Sequence, residues 1–368
     1  MIIMDLKASN LLCFNDFHIN MSYPKKIVNN PIDGEFLEER SNFRYKKVNI
    51  IMGGNATGKT SLGKLLKYFT NYFRDGSFSR FTAVVDNPEK EAYLYIDFEA
   101  GNNTLYRFLL DIAPSPERNY DKSNVQINIL AAPIGKNESY EMASSKFGNP
   151  IKYKYISFNN IDTSGWNFTF PSDYSDRDIP RIEEDDNYLK VLETVLKTLD
   201  PAILKVEFIK ELESTYVIRY ENSEVLIQNG ELKSVDRLSS GTRSGLDIAY
   251  IIASLLCNRH SLYYCDEIFS YVNSDLEKAC LSVMIDKLEG NKQLFFTTHN
   301  TDILELNLPK HAFTFLKKTV NDSSSIITTI YVSDYLKKAD ESLKNAVEND
   351  LFCTAPDLEK LYDLVDLT

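Results

Sequence analysis

The first part of the chain combines short apolar runs with one stretch of helical spacing. Residues 1–22 (MIIMDLKASNLLCFNDFHINMS) predict two short paired strands, and the polar residues 23–46 predict an irregular loop between strands. Residues 46–54 (KKVNIIMGG) form an apolar run that ends in glycines. After them, apolar residues recur every three or four positions, which is typical of a helix, at Leu62, Leu65, Leu66 and Phe69. The predicted order is strand, glycine loop, helix.

The pattern changes between residues 81 and 231, where β-branched and aromatic residues alternate with polar turns. Four stretches are strand-like, namely AYLYIDFEA, NTLYRFLLDI, VQINILAA and IKYKYISF. Residues 187–199 (NYLKVLETVLKTL) have the spacing of an amphipathic helix, and residues 206–220 return to strand. We therefore predict that residues 81–231 form an inserted antiparallel β arm with a helix.

An alternation of helix and strand resumes after residue 231. A helix at about 242–257, the apolar strand SLYYCDE, a helix at 274–288 and the strand QLFFTTH follow one another, before a final strand and helix. No segment sustains the roughly three or four heptads that a long coiled coil requires. The pattern predicts an α/β fold with a mixed β core, split between residues 1–80 and 232–335, and a helical tail at 336–368.

Composition and charge indicate a cytoplasmic protein with a large apolar core. Of the 368 residues 43% are hydrophobic, and the formal net charge is -12. This acidic balance argues against coating nucleic acid through bulk electrostatics, but it does not exclude a local basic groove. No stretch approaches the roughly 18 apolar residues of a membrane span. Asp5 and Lys7 interrupt the N-terminal run where a signal peptide would be apolar.

The cysteines show no pairing pattern. They are five in number and contain no CxxC pair, at Cys13, Cys257, Cys265, Cys280 and Cys353. An odd, scattered set indicates reduced thiols in a cytosolic protein. Cys265 lies in an apolar run, so we predict a buried thiol there.

Residues 53–61 (GGNATGKTS) carry the spacing Gly53-x-x-x-x-Gly58-Lys59-Thr60 of a phosphate-binding P-loop, with a strand before it and a helix after it. The glycines let the backbone curl around an anion, and the helix N-terminus adds partial positive charge. Lys59 is suited to neutralise the β and γ phosphates of ATP, and the Thr60 hydroxyl to coordinate Mg²⁺. The predicted nucleotide ligands are Gly53, Asn55, Ala56, Thr57, Gly58, Lys59, Thr60 and Ser61.

Two acidic residues end the apolar strand SLYYCDE. Asp266 is expected at the carboxyl end of this strand, where it would hold Mg²⁺ together with Thr60. Glu267, one residue further on, is the candidate that polarises the attacking water. A solvated surface pair is the alternative interpretation, but a buried strand in a P-loop protein favours catalysis.

One histidine, His299, ends the apolar strand QLFFTT, which is expected to neighbour SLYYCDE. This position predicts a sensor of the γ-phosphate that would act in catalysis together with Lys59 and Glu267. The other histidines are predicted to be structural, at His18, His260 and His311.

Residues 238–247 (LSSGTRSGLD) predict a second anion site at the start of a helix. Ser239 and Ser240 offer hydroxyls, Gly241 lets the backbone approach closely, and the first N–H groups of the helix are free to bind an anion. Taken alone, the same residues are also a routine helix N-cap. The apolar stripe predicted for this helix consists of Leu246, Ala249, Ala253 and Leu256.

The order of these motifs resembles that of the ABC-type ATPases. LSSGT is similar to the LSGGQ signature of that family, with Ser240 for the first glycine and Thr242 for the glutamine. Asn273, Ser274 and Asp275 match the position of the D-loop, which crosses the dimer interface in the family. The resemblance implies an ATP-dependent head-to-tail dimer, or a larger assembly, in which each signature caps the γ-phosphate bound by the other subunit.

Within the family the chain is most similar to heads without a membrane module. LKASNLLCFNDFHI resembles the opening strands of RecF/Rad50/SMC-like heads and of overcoming-lysogenization-defect (OLD) ATPases. GTRSGLDIAY, DEIFSYVNSDLE and FFTTHNTDILEL resemble the small AAA15-type abortive-infection ATPases, as does the tail. The resemblance covers residues 1 to about 70 and 235 to 360.

The chain departs from this group in two places. Tyr271-Val272-Asn273 stands where a leucine-histidine-proline turn is common. A Q-loop glutamine is not identified among the glutamines of the chain, which are Gln126, Gln228 and Gln293.

The resemblance implies an ATPase subunit of a prokaryotic anti-phage system that holds or releases a separate toxic effector, such as a nuclease. The metal-binding nuclease domain of OLD proteins is not recognised after His299, so the effector is expected on another chain. Two alternatives stay open. One is a nucleotide-gated scaffold without turnover, and the other is a RecF/Rad50-like DNA-repair ATPase, against which the net charge of -12 weighs mildly.

Overall fold

Two six-stranded sheets and a layer of helices dominate the part of the chain that the structure describes. The structure is a computed structural model, and it describes residues 1–24, 31–161, 165–171, 186–212, 214–229, 231–232, 239–321, 324–338 and 341–352. Leu238, Cys353 and the last part of the predicted tail lie outside these residues.

The strands and helices are numbered along the chain. The strands are β1 (Ile2–Ser9), β2 (Phe17–Asn20), β3 (Phe36–Leu37), β4 (Arg40–Arg44), β5 (Val48–Met52), β6 (Ala92–Glu99), β7 (Thr104–Ile112), β8 (Val125–Pro133), β9 (Lys154–Tyr155), β10 (Trp166–Thr169), β11 (Lys205–Phe208), β12 (Thr215–Arg219), β13 (Glu224–Gln228), β14 (Glu231–Leu232), β15 (Leu262–Asp266), β16 (Gln293–Thr297), β17 (Phe313–Asn321) and β18 (Ser324–Tyr331). The α-helices are α1 (Lys59–Asp75), α2 (Ser79–Thr82), α3 (Tyr140–Ser144), α4 (Asp186–Leu199), α5 (Ser240–Leu256), α6 (Ser274–Asp286), α7 (Val332–Tyr335) and α8 (Leu343–Glu348).

The central sheet is mostly parallel and has the order β10-β15-β16-β5-β17-β18. Only the hairpin β17–β18 is antiparallel. Every residue of β5, β15 and β16 is buried. Strands of a parallel sheet are covered on both faces and therefore show continuous apolar runs rather than alternation. This explains why KKVNIIMGG, SLYYCDE and QLFFTTH could be predicted as strands.

The central sheet separates two apolar cores. Because side chains alternate along a strand, β15 sends Tyr263 and Cys265 into one core and Leu262 and Tyr264 into the other. The first core contains the buried faces of α4, α5 and α6, and the second contains α1 and the other large sheet. Cys265 is therefore the buried thiol that the sequence predicts, and burial raises its pKa.

The second large sheet is antiparallel and has the order β2-β1-β6-β7-β8-β9. The predicted pairing of the two N-terminal strands is confirmed. The first three strand-like stretches after residue 81 form the meander β6-β7-β8, but only two residues of IKYKYISF form a strand. β6 pairs with β1, whereas β10 joins the central sheet. The division at residues 81 and 231 stays a prediction.

Two smaller sheets complete the described strands. The four strands β11–β14 form an antiparallel sheet, and β11 packs beside α4. β3 and β4 form a hairpin within residues 23–46, so the prediction of a wholly irregular loop there is wrong. The hairpin forms because Leu37 and Phe43 are buried with Met4 in a small separate core.

Helix α1 is held tightly against the central sheet. It buries Leu62, Leu65, Leu66 and Phe69, as the helical spacing predicts. The Tyr264 hydroxyl donates a hydrogen bond of 2.6 Å to the Lys59 carbonyl at the start of the helix. A Cβ at Gly63 would lie 2.5 Å from the Tyr264 ring, so only glycine allows this approach. The helix that follows the P-loop is thereby fixed to β15.

Helix α5 has a wider buried surface than the stripe predicted for it. Leu256, predicted in the stripe, is 46% exposed. The buried apolar residues are Ile248, Ala249, Ile251, Ile252, Ala253 and Leu255. α4 packs on α5 at Gly245, where a Cβ would lie 2.4 Å from Leu199 Cδ1. Because α4 as well as the sheet covers α5, a single stripe did not describe its contacts.

The C-terminal part of the described chain is a hairpin followed by short helices. The predicted final strand is the antiparallel pair β17–β18. The short helix α7 precedes the predicted tail at 336–368, and α8 lies within it. The longest described helices, α1 and α5, have 17 residues each, and no coiled coil is present in the described ranges. Among the same residues, no helix has the length and apolarity needed to cross a membrane.

Gln293 joins the two large sheets. Its side-chain oxygen accepts a 2.8 Å hydrogen bond from the Ile3 N–H, and its amide nitrogen donates to the carbonyls of Ile3 (3.0 Å) and Lys46 (3.1 Å). The side chain is fully buried. One amide therefore satisfies three backbone groups where β1 meets the start of β16.

We expect Gln293→Leu to destabilise the protein, because it leaves the buried Ile3 N–H without its partner. An unsatisfied buried donor costs about 1–3 kcal/mol. The free energy of unfolding, measured by chemical denaturation, should fall by at least this amount. Gln126→Leu on β8 is the matched control, since Gln126 is exposed. Equal stability of the two variants would contradict the bridging role.

Candidate nucleotide-binding site

The P-loop between β5 and α1 needs glycine at two positions. Gly53 has a φ of 150°, and a Cβ there would lie 2.4 Å from the Leu316 carbonyl oxygen. Gly58 has a φ of 96° and is the N-cap of α1. Ala56 also has a positive φ, of 58°. The loop is therefore curled into the conformation that the phosphate-binding motif requires, at the N-terminus of a helix.

Lys59 lies inside this curl. Its Nζ donates to the carbonyls of Gly53 (2.9 Å) and Gly54 (3.0 Å) and lies 3.3 Å from Glu267 Oε1. Only 4% of the side chain is exposed. Burial lowers the pKa of Lys59, against the raising effect of Glu267. Of these partners, Gly54 was not among the residues predicted from the motif.

Thr60 and Asp266 meet as the sequence predicts. The Thr60 hydroxyl donates a 2.7 Å hydrogen bond to Asp266 Oδ2, and the Thr297 hydroxyl donates one of 2.8 Å to Oδ1. Burial raises the pKa of Asp266, while these two hydrogen bonds act in the opposite direction. A hydroxyl and one carboxylate next to a phosphate loop are the hard oxygen ligands with which proteins bind nucleotide-associated Mg²⁺. The pair therefore fits this ion.

Glu267 is held at the junction of β15 and the P-loop. Its φ is 47°, and its N–H donates to the carbonyl (3.2 Å) and hydroxyl (3.0 Å) of Thr297 on β16. Burial alone would raise the pKa of Glu267, but the hydrogen bond from His299 and the charge of Lys59 hold it below its ordinary value. Glu267 is therefore ionised at neutral pH and can accept a proton or orient water.

His299 completes the cluster. Its Nε2 lies 2.8 Å from Glu267 Oε1, and 39% of its side chain is exposed. The other histidines have contacts elsewhere: His18 with Asp5 (2.7 Å), His260 with Tyr250 (3.4 Å) and buried His311 with Glu35 (2.6 Å). Their surroundings agree with structural roles. Of the four, His299 is the one that contacts a predicted catalytic residue.

Sequence reasoning missed the groups that hold the cluster in place. Thr297 bridges Asp266 and Glu267, Tyr264 binds the start of α1, and Glu277 on α6 accepts hydrogen bonds from Thr298 and Asn300. The polar run at residues 297–300 (TTHN), directly after an apolar strand, indicated part of this set. No spacing rule pointed to Glu277, because its partners come from another strand end.

The predicted signature forms a helix N-cap beside the D-loop position. The Ser239 hydroxyl accepts a 3.0 Å hydrogen bond from the Thr242 N–H. A Cβ at Gly241 would lie 3.0 Å from the Tyr271 carbonyl oxygen. Ser240 is exposed at the first turn of α5. A cavity of about 700 Å³ lies between this turn and residues 271–276. The N-cap interpretation and an anion site are compatible with this geometry.

The D-loop residues lie at the start of α6, and the three glutamines lie in other parts of the fold. Asn273 caps α6 by accepting a 2.8 Å hydrogen bond from the Asp275 N–H, and Tyr271 is 55% exposed. Gln126 lies on β8, Gln228 on β13, and Gln293 is buried between the two sheets. None of the three is described in contact with the P-loop cluster, so the structure supplies no Q-loop glutamine.

A family model described as "AAA domain, putative AbiEii toxin, Type IV TA system" matches residues 48–305. The chain belongs to this AAA_21 family. The match begins at β5 and includes the P-loop, the Asp266-Glu267 pair and His299. No curated protein sequence gives a significant match to the chain.

Two solved structures of SMC heads share the fold of this AAA_21 protein. One is described as the SmcHead bound to the C-winged helix domain of ScpA; it has a TM-score of 0.51 and 12% identity, with 91% of this chain and 100% of that chain covered. The other is an Smc head with an extended coiled coil bound to the C-terminal domain of ScpA, derived from Pyrococcus furiosus. Its TM-score is 0.52 and its identity 10%, with 91% of this chain and 98% of that chain covered. The predicted P-loop fold of the ABC-ATPase head type is confirmed.

Lys59→Ala should abolish tight ATP binding, because Lys59 is the cation inside the P-loop curl and the family match includes this loop. Isothermal titration with ATP and Mg²⁺ measures the affinity. Lys122→Ala is the control, since Lys122 is exposed between β7 and β8. Unchanged affinity in Lys59→Ala would show that this loop is not the phosphate site.

Proposed function

We propose that this protein hydrolyses ATP with Mg²⁺, forms ATP-dependent head-to-tail dimers, and controls a separate effector in prokaryotic anti-phage defence. The observation that carries the first part is the convergence of Lys59 and His299 on Glu267 Oε1 at the P-loop, at 3.3 Å and 2.8 Å. The family and the SMC-type fold support nucleotide binding.

The chemistry divides among the clustered residues. The curled loop and Lys59 bind the β and γ phosphates, and Thr60 and Asp266 would hold Mg²⁺. When bound, the ion would neutralise charge on the phosphates. Glu267, kept ionised by Lys59 and His299, accepts the proton of the attacking water and orients it towards the γ-phosphate. His299 binds the γ-phosphate from the β16 side and positions Glu267.

The arrangement of α1 and α5 on the two faces of the sheet supports the proposed dimer. α1 packs into one core and α5 into the other, on opposite faces of the central sheet. The signature residues Ser239, Ser240 and Gly241 begin α5 and lie beside the D-loop position, away from α1. A second copy in head-to-tail orientation brings its signature to this P-loop, and the first N–H groups of its α5 bind the γ-phosphate.

The proposed effector is a toxin or nuclease on another chain. The description of the family names an AbiEii toxin and a type IV toxin–antitoxin system, which supports a role in phage defence. The two SMC heads were solved with a domain of ScpA bound, so this fold has a surface for a partner protein. The ATP-bound dimer would hold or release the effector.

Glu267→Gln should bind ATP normally but hydrolyse it at least about 10²-fold more slowly, because the amide cannot take up the proton. Steady-state phosphate release and ATP titration measure the two effects. Glu289→Gln, at an exposed residue beyond α6, is the control. Wild-type turnover in Glu267→Gln would refute the catalytic assignment and favour a scaffold without hydrolysis.

Ser239→Arg should bind ATP but fail to dimerise, since a bulky cation replaces the small hydroxyl at the proposed interface. The Ser239→Arg change is made in the Glu267→Gln background, where the closed dimer should accumulate, and dimerisation is followed by light scattering. Ser123→Arg, in an exposed turn, is the control. An ATP-dependent dimer of normal stability in Ser239→Arg would exclude this interface.

The effector is tested with tagged Glu267→Gln protein purified from its own host with ATP and Mg²⁺. Native mass spectrometry should detect a complex with a second polypeptide, and deletion of the ATPase should change phage susceptibility. A bare homodimer together with unchanged susceptibility would reject the defence role and leave the ATPase assignment intact.

A further inference from the structure

The segment that carries His299 is fastened to helix α6 on both sides of the histidine. On one side the Thr298 hydroxyl donates a 2.7 Å hydrogen bond to Glu277 Oε1. On the other side Asn300 Nδ2 donates a 2.7 Å hydrogen bond to Glu277 Oε2. Glu277 is only 3% exposed. A single buried carboxylate therefore binds both neighbours of His299.

The orientation of Asn300 in this cluster is fixed by its other contacts. Its side-chain oxygen accepts a 3.0 Å hydrogen bond from the Asp302 N–H, and Nδ2 donates also to the Ser274 hydroxyl (2.8 Å). Ser274 in turn donates a 2.6 Å hydrogen bond to Asp302 Oδ2. A flipped amide would lose these contacts. Both oxygens of Glu277 are thus used as acceptors, and a donor in place of the oxygen that faces Asn300 would oppose another donor.

We propose that Glu277 is a positioning residue that sets the distance between His299 and Glu267. Through Glu277, the position of His299 also depends on the start of α6. The proposal rests on the ATPase activity proposed above. The His299 side chain is partly exposed and meets Glu267 at 2.8 Å, so its position depends on the backbone of residues 298–300. Glu277 holds that backbone through Thr298 and Asn300. Ser274, at the first turn of α6, accepts a hydrogen bond from the same Asn300 side-chain nitrogen that donates to Glu277.

Glu277 connects the D-loop position, at the proposed dimer interface, to the segment that carries His299. Asn273, Ser274 and Asp275 occupy the D-loop position and precede Glu277 on the same helix. A displacement of the first turn of α6 by a second subunit would move Glu277 and Ser274, and with them the segment that carries His299. Contact at the interface would thereby be transmitted to the residue that touches Glu267.

The test uses the full chain and the variant Glu277→Gln. Glutamine has nearly the same size but only one side-chain acceptor and no charge. Either it loses the hydrogen bond from Asn300, or its amide nitrogen turns to Thr298, whose hydroxyl must then accept and loses Glu277 as its own acceptor. We expect kcat for ATP hydrolysis to fall about tenfold or more, because small displacements of catalytic groups are costly, while KM changes less than about twofold. Asp286→Asn, at the exposed end of α6, is the control and should retain wild-type kcat.

Thr298→Val is the second variant, because it removes one of the same hydrogen bonds without touching α6. It should lower kcat in the same direction and leave ATP affinity unchanged. Combining Glu277→Gln with Thr298→Val should lower kcat by less than the product of the two single effects, since both break one contact. If Glu277 only stabilised the fold, these variants would lower the melting temperature but would not lower kcat while leaving KM nearly unchanged.

The outcomes separate the two proposals. Wild-type kcat in both Glu277→Gln and Thr298→Val would overturn the positioning role while the ATPase assignment stands. Absence of any turnover in the wild-type protein, equal to that of Glu267→Gln, would overturn the proposed function itself. If Glu277→Gln does not fold, Thr298→Val decides the question alone.

Discussion

The side-by-side parallel alignment of β5, β15 and β16 is the constraint on which the site depends. The carboxyl ends of parallel strands reach the same edge of a sheet, where ligand sites of open α/β folds lie. The register pairs Ile51 with Thr297 and Thr297 with Asp266. This register brings the P-loop, the two carboxylates and His299 together although they are far apart in the chain. A shift of one residue would turn Asp266 away from Thr60.

The same alignment gives two adjacent carboxylates different properties. Asp266 is the last residue of a fully buried strand, and burial raises its pKa. Glu267 leaves the strand with a positive φ and meets Lys59 and His299, which hold its pKa down despite partial burial. Neighbouring acids whose surroundings push their pKa values apart are suited to different tasks. Here Asp266 faces the hydroxyls of Thr60 and Thr297, whereas Glu267 faces a cation and an imidazole.

Local sequence signals predicted the central strands, α1 and the residues that meet at the P-loop, because each depends on a short run with its own spacing. Gly53, Lys59 and Asp266 are of this kind. The hairpin β3–β4 was missed because Leu37 and Phe43 are buried by a core that is assembled from distant parts of the chain. Glu277 was missed for the same reason. Its role depends on contacts between α6 and the residues that follow β16. The periodicity of a single segment cannot predict contacts between two segments.

The contact between Gly63 and Tyr264 limits how this protein can change over evolutionary time. The glycine on α1 and the aromatic ring on β15 fill one space, and the hydroxyl of that ring also supports the backbone at Lys59. A larger residue at position 63 has room only if position 264 becomes smaller, and that loss would remove the support of the phosphate loop. The two positions should therefore covary among related chains, and single replacements at either one should be rare.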